Sequence, residues 1–121
     1  MKKSIFKYTL ETTDKQVVKL PKEAEILTIQ TQFEEPQLWA LVNPENELEE
    51  RTIEIFGTGH PVHCDMGVER KYISTYQLSG GNYVFHAFER LSMNEETNLQ
   101  LAENPALLIA GVSHSWFSLY N

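Results

Sequence analysis

Nine consecutive residues gather the side chains of this chain that could do chemistry: Gly57-Thr58-Gly59-His60-Pro61-Val62-His63-Cys64-Asp65. They hold two of the four histidines and the only cysteine. His60, His63, Cys64 and Asp65 are all acceptable ligands for zinc or another transition metal. A structural zinc site, however, draws on two paired clusters. Here there is one, and only His86 or His114 is left to complete it from a distance. The run therefore reads better as a turn-rich loop with hydrogen-bonding histidines than as a metal centre, and no cofactor is expected.

The same run admits a second chemistry. Gly57-Thr58-Gly59 can turn backbone N–H groups toward an anion, and Thr58 adds a hydroxyl. A P-loop needs a longer spacing and a lysine, and a dinucleotide fingerprint opens a helix; this run leads into Pro61 instead. The plain alternative is a bulge or tight turn at the end of a strand. His60 contributes a titratable donor. The run is thus expected to form half of a ligand pocket, with Gly57, Thr58, Gly59, His60, His63, His86 and Trp116 as the binding residues. His86 lies between Phe85 and Ala87, where a histidine is more often a satisfied core residue than a ligand.

Catalysis finds no motif. There is no G-x-S-x-G turn and no H-E-x-x-H. Cys64 beside His63 is not a dyad by adjacency, because a nucleophile and its base must meet in space with a third group orienting them. The chain is expected to be a non-enzymatic binding protein. The alternative from another class is a metal-dependent hydrolase using His60, His63, Asp65 and His86.

The elements that must position these residues are mostly strands. Phe6, Tyr8 and Leu10 alternate with Lys7 and Thr9, and Gln16 to Leu20 forms a short strand stopped by Pro21. Glu25 to Phe33 is the next, broken by Glu34-Glu35-Pro36. Leu38-Trp39-Ala40-Leu41-Val42 is apolar on both faces, which predicts a central strand. Residues 45–50 read as an acidic loop. Arg51 to Gly57 resumes alternation, with Ile53 and Ile55 on one face and Thr52, Glu54 and Phe56 on the other. Arg70 to Leu78 and Asn82 to Glu89 flank Ser79-Gly80-Gly81, a hairpin signal. The fold class is therefore mainly β (α+β): a compact antiparallel sheet or small barrel-like domain of about seven strands.

Composition changes after Arg90. Asn94 reads as the cap of one helix, and Asn104-Pro105 as the start of a second over Ala106 to Ala110. An aromatic tail with His114, Trp116 and Tyr120 follows. Residues 1–89 are expected to be a β-rich core domain and 90–121 an extension that packs on it or on a neighbouring subunit. A homo-oligomer is expected, since a small sheet domain gains buried area by docking such a segment.

With 121 residues and 41% hydrophobic content, the chain suffices for one domain with a core. A net charge of −7 repels nucleic acid polymers but not a small nucleotide held locally, and it suits docking on a basic protein surface. One cysteine permits no internal disulfide, which points to the cytoplasm. The basic start, Met1 to Lys7, has no apolar stretch behind it and is not read as a signal peptide. The longest apolar run, Ala106 to Val112, is far short of the roughly 20 residues a membrane span needs.

Four pieces carry a resemblance: Ile5-Phe6-Lys7-Tyr8-Thr9-Leu10, Leu38-Trp39-Ala40-Leu41-Val42, Gly57-Thr58-Gly59-His60-Pro61 and Val84-Phe85-His86-Ala87-Phe88-Glu89. In this order, over residues 4–89, the chain resembles a family of short, uncharacterised domains encoded by phages and bacteria. That family offers no established activity. The resemblance implies a phage-type origin, and residues 90–121 lie outside its pattern. Together with acidity, small size and the missing catalytic motif, it leads to the expectation of an antagonist of bacterial defence in the host cytoplasm. Such a protein would sequester a small nucleotide signal. Its alternative would block a host defence protein through an acidic face.

Overall fold

The structure, a computed structural model, describes residues 2–62 and 67–91. Met1–Pro61 and Arg70–Arg90 form one compact unit, which carries the sheets. The expected ligands His63, Cys64, Asp65 and Trp116, and the expected helices beyond Asn94, lie outside the described residues.

Seven strands run antiparallel: β1 (Ser4–Thr9), β2 (Lys15–Pro21), β3 (Glu25–Gln32), β4 (Glu35–Val42), β5 (Leu48–Gly57), β6 (Glu69–Leu78) and β7 (Tyr83–Leu91). They form a three-stranded sheet in the order β1-β4-β3 and a four-stranded sheet in the order β2-β5-β7-β6. The fold is thus the expected compact β domain; it is two sheets, not a closed barrel. β4 is the central strand its two-faced apolar run predicts. Leu38, Ala40 and Val42 are buried on one face, while Trp39 and Leu41 are half-buried on the other.

The core joins both sheets. Ile29, Leu38 and Val42 from the first meet Leu20, Ile53 and Tyr76 from the second, all essentially fully buried. Burying an aliphatic side chain of this size stabilises the fold by about 1.5–3 kcal/mol. Hydrophobic area shared between the sheets is what makes two short sheets into one domain.

Two boundaries differ from the sequence reading. The expected acidic loop over residues 45–50 is shorter, because Leu48–Glu50 already belong to β5 and pair with Lys19–Pro21. Glu50 stays exposed and Glu49 lies half-buried 3.6 Å from the Arg51 guanidinium, so charge does not prevent pairing. Pro36 does not end the preceding strand but sits second in β4, opposite Thr31. It has no N–H to give, and its carbonyl accepts from Leu10 N at 2.9 Å.

The β3–β4 turn is the two-residue Phe33-Glu34, with φ of 52° and 63°. Both residues are left-handed, the type I′ geometry that asparagine and glycine favour. Phe33 is also 92% exposed, so its ring returns little for its backbone strain. Glu34 is used: its Oε2 accepts from Ser79 N at 2.7 Å and ties this turn to the Ser79-Gly80-Gly81 turn between β6 and β7. Among the described residues no helix is long and apolar enough to cross a membrane.

β3 and β6 are the facing edges of the two sheets, yet they share no ladder. Side chains join them instead. Thr28 Oγ1 meets Ser74 Oγ at 2.9 Å, and Ser74 Oγ also accepts from Ile29 N at 3.1 Å. Gln30 and Thr31 donate to the carbonyls of Thr75 and Gln77.

Two outcomes are expected from this architecture. Phe33→Asn should raise stability by about 0.5–1 kcal/mol in urea unfolding, because asparagine tolerates the left-handed backbone; a loss would show that the exposed ring supports the fold. Burial raises the Tyr76 phenol above its ordinary 10.0, partly offset by its 3.1 Å hydrogen bond to Thr12. A proton held more tightly when folded stabilises below that value, and the contribution is lost as pH rises through it. Wild type should lose more stability than Tyr76→Phe between about pH 9 and pH 11; equal losses would refute the assignment.

Candidate functional site

β5 ends at Gly57 and leads into a tight turn at Thr58-Gly59. His60 N donates to Gly57 O at 3.0 Å, and Thr58 N to Val84 O at 3.2 Å. One backbone donor of the expected anion cradle, Thr58 N, is therefore already engaged within the fold. The His60 ring lies over Gly57, where a Cβ would come within 2.8 Å of it, so glycine is required for that packing.

The structure brings Thr58 and His86 together. Thr58 Oγ1 lies 2.7 Å from His86 Nε2, and Thr75 Oγ1 lies 3.0 Å from His86 Nδ1. Tyr72 Oη extends the chain, 2.7 Å from Thr75 Oγ1. The strand register makes this possible: Phe56 pairs with His86 and Gly57 with Phe85, which leaves Thr58 just beyond the end of β5. Both imidazole nitrogens thus meet neutral hydroxyls. As chemistry this is a positioning relay, Thr58–His86–Thr75–Tyr72, that fixes the turn to the sheet. Of the seven expected binding residues, these contacts join Gly57 to His60 and Thr58 to His86. Gly59 is exposed in the same turn, with φ of 89°. His63 and Trp116 lie outside the described residues. Among the described residues no three His, Cys, Asp or Glu groups gather as a metal site.

Tyr72 leads from this relay to a cavity of about 440 Å³ between the facing edges of β3 and β6. Ala24, Glu25, Ile26 and Leu27 line one side and Lys71, Tyr72 and Ile73 the other, with Arg51 and Glu89 completing it. Two local irregularities open the space. In β3 the register with β4 shifts between Ile26 and Thr28, making Leu27 an extra residue. In β6, Tyr72 packs its ring on Phe88, whereas Ser74 and Tyr76 are buried and Thr75 faces His86. Strict alternation would put Tyr72, Ser74 and Tyr76 on one face, so the strand shifts by one residue between Tyr72 and Thr75.

Arg51 and Glu89 are the electrostatic centre of the cavity. Arg51 Nε donates to Glu89 Oε2 and Arg51 Nη2 to Glu89 Oε1, while Arg51 Nη1 reaches the Ala24 carbonyl at 3.0 Å. Glu49 stands 3.6 Å from the same guanidinium. The bonds to Glu89 hold the Arg51 guanidinium above its ordinary value, more than burial lowers it. A second pair, Arg70–Glu54 at 2.8 Å, lies on the opposite face of the same sheet, where Arg70 also stacks on Phe56.

The sequence reading missed Arg51, Glu89, Lys71 and Tyr72. A signal for the first two was present. Arg51 is in phase with buried Ile53 and Ile55, and Glu89 with buried Ala87. Opposite charges on the apolar phases of two strands mark a buried pair. Nothing in the sequence marks Lys71 and Tyr72, because the shift in β6 that brings them to the cavity has no local signature.

Glu89→Ala leaves the half-buried Arg51 guanidinium with only the more exposed Glu49 beside it and should cost about 1.5–3 kcal/mol in urea unfolding. The double variant Arg51→Met, Glu89→Leu should recover most of that loss. A double variant as unstable as Glu89→Ala would show that the pair does more than neutralise itself.

Comparison with known proteins adds one finding. No curated protein and no solved structure matches the chain. The family model for a domain of unknown function, DUF7352, matches residues 1–98, and the protein belongs to that family.

Proposed function

We propose that this domain is a binding protein and not a catalyst, and that it holds a small nucleotide-type molecule in the cavity between β3 and β6. The observation that carries the reading is the composition of that cavity. Its volume, about 440 Å³, is that of a small-ligand site. Ile26, Leu27, Ile73 and the Tyr72 ring offer an apolar wall for a flat base, and the exposed Lys71 ammonium stands beside them for a phosphate. Arg51 is committed to Glu89 and to Ala24, so it shapes the site and leaves Lys71 as the anion contact. The Thr58–His86–Thr75 relay takes a supporting part by holding the Tyr72 hydroxyl, and with it the ring. In this reading the run after β5 serves the pocket from behind.

The resemblance to phage-encoded domains supports a setting in which the ligand is a nucleotide signal of bacterial defence, sequestered in the host cytoplasm. The test is a thermal-shift series with cyclic mononucleotides, cyclic dinucleotides and ADP-ribose. At least one should raise the melting temperature and be recovered unchanged from denatured protein. Lys71→Ala and Tyr72→Ala should each weaken it about tenfold or more, the scale of one lost phosphate or stacking contact. No stabilisation by any of the series, or equal stabilisation of both variants, would overturn the proposal.

A further inference from the structure

A second surface stands apart from the cavity. β1 is the outer strand of the order β1-β4-β3, and no described strand pairs with its other flank. Of its six residues only Tyr8 is even half-buried. The register with β4 sorts its side chains. Phe6 and Tyr8 stand opposite buried Ala40 and Leu38, so they share the core face; Ile5 and Lys7 stand opposite Leu41 and Trp39 on the outer face. Each face therefore ends in an uncovered apolar side chain, Ile5 at 60% and Phe6 at 40% exposure. An extended chain laid along the edge would pair its backbone with β1 and cover both with alternate side chains.

Charge selects what that chain is. The protein carries −7 overall, yet residues 2–10 hold Lys2, Lys3 and Lys7 and no acid. All three lysines are exposed; Lys7 Nζ donates to Gln32 Oε1 at 2.9 Å across β4 without being covered. Lysines on an open edge oppose pairing with a second copy, because that would bring both sets to one seam. The same lysines attract carboxylates. We propose that the β1 edge takes up an extended acidic segment of a partner protein as an eighth strand.

The probe is the peptide Ac-Glu-Val-Glu-Val-Glu-Val-NH2, titrated into ¹⁵N-labelled full-length protein. Amide shifts should concentrate in residues 4–9, and affinity should fall as salt is raised. A peptide of equal charge with proline in place of valine cannot form the ladder and should bind at least about tenfold more weakly. Lys2→Glu, Lys3→Glu and Lys7→Glu together should cost about tenfold or more, the sum of three exposed ion pairs, with the melting temperature unchanged. Equal binding of the proline peptide would reduce the edge to charge attraction and overturn strand addition. No binding at millimolar peptide, shifts centred on another surface, or indifference to the triple reversal would overturn the proposal as well.

Discussion

A half-buried guanidinium must place its donors, and Arg51 does so on both sides of the gap between the sheets. Its fork takes the Glu89 carboxylate within the second sheet, and its remaining arm takes the Ala24 carbonyl at the entry to β3. That span adds to the backbone bonds already holding the entry to β3, from Ala24 N to Pro21 O in β2 and from Lys22 N to Glu47 O just before β5. The interaction is costly in isolation, since both charges give up water. It is tolerated because every strong contact is charge-assisted and the geometry is bidentate. The cavity follows from it. β3 and β6 are sewn together by Ser74 and its neighbours farther along, and held at a distance where Arg51 stands between them.

The two irregularities beside the cavity have the same logic. A strand edge that continued straight would bring β3 and β6 into parallel pairing along their whole length. The extra residue at Leu27 and the shift between Tyr72 and Thr75 turn both edges away before that happens. The shift also gives Tyr72 a double role: its ring is on the Phe88 side of the sheet and at the cavity wall, and its hydroxyl ends the relay from His86. A regular β6 would give the cavity or the relay, not both.

The strands were legible because their physics is local. Alternation of Phe6, Tyr8 and Leu10, the two-faced run around Trp39, and the paired glycines before Asn82 each report a neighbour-by-neighbour rule, and each matches an element. Pro36 and the acids at Leu48–Glu50 misled for the opposite reason. Whether proline or glutamate fits a strand depends on which side of the ladder it faces, and that is decided by the partner strand. The run at Gly57–Asp65 drew attention by side-chain type. Yet the chemistry of His86 is set by Thr58 together with Thr75, and residue type alone leaves Thr75 unremarked. The cavity was the least legible feature. Its residues come from four strands and are assembled by two register shifts that no short stretch of sequence announces.

The cavity and the β1 edge lie on opposite flanks of the same sheet, one at the open side of β3 and one at the open side of β1, with β4 between them. Two interstrand steps separate them, about 10 Å in all. β4 is the most completely buried strand of the three and pairs along its length with both neighbours. A strand so constrained on two edges and one face has no second arrangement to adopt, and coupling between sites requires an element with two. Occupation of one flank is therefore expected to leave the other unchanged. A domain of this size can carry two independent contacts, because its central strand is too well held to carry a signal between them.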